Sequence, residues 1–176
     1  MINPIVYSAI IRTLVPLLIL RRPFYGYAAS MLADALGDCI LVDLLGGSFQ
    51  DYHFFDKIFD LYMLTIAVIA SLKFEKLEKL TSIVLYSIRA LGLILFEITG
   101  LRILLVLFPS VFEFYFIFIT WAKKFRPSFR LTKKNIAKVI ILLAVPKIIL
   151  EILMHQSGAD QVIWNLWVKI RIFLVG

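Results

Sequence analysis

Runs of about twenty apolar residues, each carrying one or more ionisable side chains in its interior, constrain this chain more than any other feature of its sequence. A helix rises about 1.5 Å per residue, so about 20 residues cover the ~30 Å hydrocarbon layer of a bilayer. Segments 4–20, 24–45, 57–72, 80–99, 101–122 and 136–154 are candidate crossings on this measure, with 57–72 short of it. The 176 residues are 61% hydrophobic and 18% charged, whereas soluble domains average roughly 45–50% apolar and about 25% charged. The pattern predicts an all-α integral membrane protein. About six transmembrane helices form one bundle over residues 1–155, and residues 156–176 form a C-terminal amphipathic interfacial segment.

Breakers fall between these segments. Arg21-Arg22-Pro23 stops the first and Gly46-Gly47-Ser48 the second, while Thr99-Gly100-Leu101 leaves only a tight link between the fourth and fifth. The tail VIWNLWVKIRIFLVG is too short to span, and its tryptophans suit the bilayer interface. Met1 to Leu20 has neither a basic leader nor a small-residue cleavage site, which reads as a retained first span.

The single Cys39 excludes an internal disulfide, and two histidines, His53 and His155, are too few for a His/Cys zinc site. The formal charge of +7 is distributed by link rather than as a nucleic-acid footprint. Twelve of the nineteen Lys and Arg lie in the links after spans one, three and five, and four lie on the other side or in the tail. The positive-inside rule then predicts both termini on the non-cytoplasmic face, in a plasma (inner) membrane. The lipid bilayer is the implied partner, with a homo-oligomer or larger membrane complex compatible and no nucleic acid.

Five ionisable groups fall near mid-span: Arg12, Asp34, Arg89, Glu113 and Lys147. Left unpaired, each would add about 2.5–3.5 kcal/mol to insertion, so they are paired, protonated or wetted. Asp34 and Asp38 share a helix face at i, i+4, on a segment whose small residues, Gly26 and Ala33 among them, allow close helix approach. Asp56 and Asp60 repeat that spacing, as do Lys147, Glu151 and His155. Glu97 and Glu151 lie toward the same predicted outer face as Asp38 and Asp60, where seven carboxylates meet two cations, Lys57 and Arg102, in the links. The stretch DYHFFDKIFD, residues 51–60, then reads as the rim of an outward-facing acidic vestibule, with Asp51, His53 and Asp56 in a loop.

The last five residues of that stretch, Asp56-Lys57-Ile58-Phe59-Asp60, resemble the D-x3-D that closes the signature of membrane CDP-alcohol phosphotransferases. The D-G-x2-A-R half of that signature has no counterpart here, so the likeness implies no membership.

Three functions follow from these residues. Cation- or proton-coupled transport or permeation would use Asp34, Asp38, Asp60, Glu97 and Glu151, with Arg12, Arg89 and Lys147 as counter-charges. A non-catalytic membrane subunit would use the same charges to pair with another membrane protein. A lipid-directed enzyme would hold a divalent cation such as Mg²⁺ through Asp38, Asp56 and Asp60.

Overall fold

A computed structural model describes residues 4–36, 49–101 and 103–156, and every regular element within them is a helix. Helix α1 (Pro4–Leu14) tightens into a 3-10 turn over Val15–Leu20, where Pro16 removes an amide donor at the start of the tighter winding. The Leu18 carbonyl then accepts from the amides of both Arg21 and Arg22, at 3.1 and 2.8 Å, and the chain reverses. Pro23 opens α2 (Pro23–Leu36), its preset φ suiting the first helical position. Gly26 makes the corner close: a β-carbon there would lie 2.4 Å from the Ile19 amide nitrogen.

Helix α3 spans Phe49–Ser71, so the whole acidic stretch 51–60 is helical and the expected loop is not there. The physical reason is legible in retrospect: after Gly47 no glycine or proline interrupts the chain until Gly92. Helix α4 (Lys76–Thr99) begins at Glu75, whose amide donates to the Glu78 carboxylate at 3.3 Å. It ends where Gly100 turns left-handed, φ 69°, and returns its amide to the Phe96 carbonyl at 2.7 Å.

The expected fifth span is not one helix. A short α5 (Ile103–Leu107) stops at Phe108-Pro109-Ser110, and α6 (Val111–Phe125) starts afresh. Both pieces pack on α4. Gly92 of α4 permits this, since a β-carbon there would be 2.3 Å from that of Phe108. The break leaves a carbonyl for a new partner, and Arg89 donates to the Phe108 oxygen at 3.3 Å. Helix α7 (Ile136–Gln156) runs on through Pro146.

One apolar core joins these helices, with Ile19, Tyr27, Leu64, Phe112, Phe116 and Ile119 all but inaccessible. Around it the usual distribution of side chains is inverted. On α1, Ser8 and Arg12 are buried while Val6, Ile10, Ile11 and Leu14 are exposed. On α4, Glu78, Thr81 and Ser82 face inward, and Leu80, Val84, Leu91, Ile94 and Ile98 are exposed along the helix. Among the described residues, α4 is the helix long and apolar enough on its own to cross a membrane.

Candidate functional site

The turn that reverses the chain after α1 also fixes where Arg12 sits. With α2 folded back tightly at Gly26, and α3 packed against both, the Arg12 guanidinium is enclosed, only 4% exposed. Asp34 of α2 and Asp60 of α3 converge on it. Arg12 Nη2 pairs with Asp34 Oδ1 and stands 3.3 Å from Asp60 Oδ1. The guanidinium also stacks over the Phe59 ring, 5.3 Å from its centroid. Arg12, Ser30, Asp34 and Phe59 border a crevice of about 10 Å³, space for about one water.

Among the described residues, two carboxylates and one guanidinium give this cluster one negative charge in excess when all three are ionised. Next to it in the core, the Tyr27 hydroxyl is fully buried and has no hydrogen-bond partner among the described residues. It lies within electrostatic reach of Glu113, Asp60 and Asp34. An unpaired buried hydroxyl costs about 1–3 kcal/mol.

The second polar centre is the helix break. Ser110 precedes α6 and donates its hydroxyl to Glu113, whose other carboxylate oxygen takes the Lys147 ammonium of α7 at 2.9 Å. Glu113 sits in the first turn of α6, where the helix dipole favours a negative charge. With Arg89 on the Phe108 carbonyl, this centre carries two cations and one carboxylate. At the end of α4 far from Glu75, Glu97 meets Lys57 of α3 at 2.7 Å, both partly exposed.

The residues singled out from the sequence fall into three groups. Asp34 and Asp60 come together on Arg12; Glu97 is held by Lys57 and Glu113 by Lys147; Arg89 braces a backbone carbonyl. Asp38, Asp43, Arg102 and residues 157–176 lie outside the described residues. Asp51 and Asp56 belong to α3, Glu151 and His155 to α7. Among the described residues no three His, Cys, Asp or Glu side chains gather as a metal site would require.

Two participants were missed at the level of sequence. Ser110 follows Pro109 and precedes Glu113 by three, the S-x-x-E spacing of a helix N-terminus, which would have located the break. Glu78, 2% exposed and bound to Lys123 at 2.6 Å, had no signal beyond its place near a helix start.

No family model, curated protein or solved structure matches the chain. The functional reading therefore rests on the geometry.

Proposed function

We propose that the chain is a polytopic membrane protein that carries protons or small cations, with Asp34, Asp60 and Arg12 as its working centre. The membrane part draws support from the inverted distribution of side chains. A soluble monomer rarely exposes a contiguous apolar patch beyond a few hundred Å². Here apolar stripes run along α1, α4 and α7 while Arg12 and Glu78 are buried. The six-span arrangement, with one bundle and both termini outside, is part of the same proposal.

The observation that carries the transport reading is the pair of carboxylates on one guanidinium. A single Asp would make a closed, neutral ion pair. The second makes a site that a proton or cation neutralises reversibly, beside a water-sized crevice and an unpartnered hydroxyl. Arg12 keeps the excess to one charge, which favours release as well as binding. Glu97, Glu113 and Lys147 belong on this reading to the scaffold, because each already has an opposite charge at hydrogen-bond distance.

Flux tests this. Purified protein in liposomes should dissipate a proton or cation gradient, and Asp60→Asn should reduce the rate at least about tenfold while the protein still folds. Gradient decay at the rate of protein-free vesicles would contradict it. That result, combined with co-purification of another membrane protein, would favour the subunit reading.

A further inference from the structure

The links rich in Lys and Arg come together in space. Arg22 from the turn after α1, Phe74 from the turn after α3, and Lys123 and Lys124 from the end of α6 line one cavity of about 610 Å³, with Phe24 and Tyr25 of α2. We propose that this cavity binds a phosphate group, carried by an anionic membrane lipid or free in solution.

Two independent features support an anion there. Its described lining holds three cations and no carboxylate. One cation is already matched, since the Lys123 ammonium is bound to buried Glu78 at 2.6 Å. Arg22 and Lys124 then leave the rim with two positive charges in excess. The N-terminus of α2 opens onto the same space through Pro23, Phe24 and Tyr25, and its first turn contains no acid. Helix N-termini attract phosphate through amides and dipole together.

The walls suit a lipid rather than an ion alone. Lys124 lies 3.7 Å from the Tyr25 ring centroid, and Phe24 meets Phe125 edge to face at 5.6 Å. Cations backed by aromatic rings match a headgroup whose phosphate meets the charges and whose glycerol meets the rings. Arg adds a planar fork that engages two phosphate oxygens at once. The lipid form of the proposal rests on the membrane reading above, but not on transport through Asp34 and Asp60.

The full chain, purified in a neutral detergent, is offered phosphatidylglycerol and phosphatidylcholine in equal amounts, and retained lipid is counted by native mass spectrometry. Phosphatidylglycerol should be retained at least about fivefold over phosphatidylcholine, the factor expected from one basic residue at a headgroup. The double variant Arg22→Gln/Lys124→Gln should lose that preference, and the control pair Lys133→Gln/Lys134→Gln should keep it. Inorganic phosphate that displaces the lipid assigns recognition to the phosphate itself; phosphate that binds while lipid does not assigns the free ion as ligand. Equal retention of both lipids with no phosphate binding overturns the proposal, as does equal loss in the control pair. Should the double variant fail to fold, a wild-type preference unchanged between low and high salt overturns it instead. A chain that is soluble without detergent would sink the membrane reading, and phosphate binding would still decide the site.

Discussion

Arg12 meets both Asp34 and Asp60, and that arrangement makes substitutions of the arginine and of one acid unequal. Arg12→Ala leaves two carboxylates, 32% and 38% exposed, beside each other without this guanidinium and should destabilise by about 2–3 kcal/mol, toward the upper end for hydrogen bonds to charged groups. Asp60→Asn leaves Arg12 with Asp34 and should cost only about 1 kcal/mol. Thermal unfolding in detergent reads both; equal losses would mean that Asp60 is as indispensable to the fold as Arg12. Tyr27→Phe separates structure from function at the same place. It removes a hydroxyl that the described structure leaves unpaired, so stability should hold or rise by up to about 1 kcal/mol, and any fall in flux then belongs to the hydroxyl's role in transport. The presence of the charges was legible in the sequence, because ionisable groups inside apolar runs are conspicuous. Their partners were not. Arg12 and Asp60 stand 48 residues apart, and only the tight corner at Gly26 brings α2 and α3 onto the same side of α1.

At the scale of elements, periodicity and breakers found most of the helices but misjudged two stretches for different reasons. Residues 51–56 read as a loop because they are polar, yet helix formation needs no apolar residues where nothing interrupts the chain, and α3 begins at Phe49 and runs straight through them. The 101–122 segment was taken as one helix because its apolarity continues across Pro109. There the interruption is sustained by tertiary contacts that no local pattern contains: Gly92 makes room for Phe108, and Arg89 takes up its carbonyl. The restart of α6 depends on Glu113 joining Ser110 to Lys147 across to α7. Glu113→Gln and Lys147→Met should each destabilise by about 2–4 kcal/mol, because each removes the opposite charge that the other, largely buried group meets at 2.9 Å. The double variant should cost about 1.5 kcal/mol or more less than the sum, measured as a double-mutant cycle on unfolding. Additive losses would show that the two helices meet without help from this pair. Gly26→Ala should prove costly at the α1–α2 corner, about 3 kcal/mol at the upper end of overpacking penalties, since the atoms in the way are backbone.

The whole molecule has an axis of chemistry. At one end Arg22, Phe74, Lys123 and Lys124 surround the basic cavity, and Glu75 pairs with Arg130. At the other, Lys57 and Glu97 meet beside the Gly100 turn that ends α4. Between them lie the Arg12 and Glu113 centres, whose described charges, Arg12, Arg89 and Lys147 against Asp34, Asp60 and Glu113, balance. Such balance lowers the insertion cost of six groups that would be prohibitive singly. The sequence assigned the basic links to one side by counting charges, and the packing brings residues from all three to one end. Exposed apolar stripes, balanced charges among the described interior groups and one basic end support the proposal that the chain threads the bilayer repeatedly with its basic end on the cytoplasmic face. Cysteine accessibility tests this most directly. In a Cys39→Ala background, Thr99→Cys should react with a membrane-impermeant thiol reagent in intact cells. Lys76→Cys, at the far end of the same helix, and Lys133→Cys should react only after permeabilisation. Labelling of residues 76 and 99 from the same side, or recovery of the protein in the soluble fraction, would contradict it.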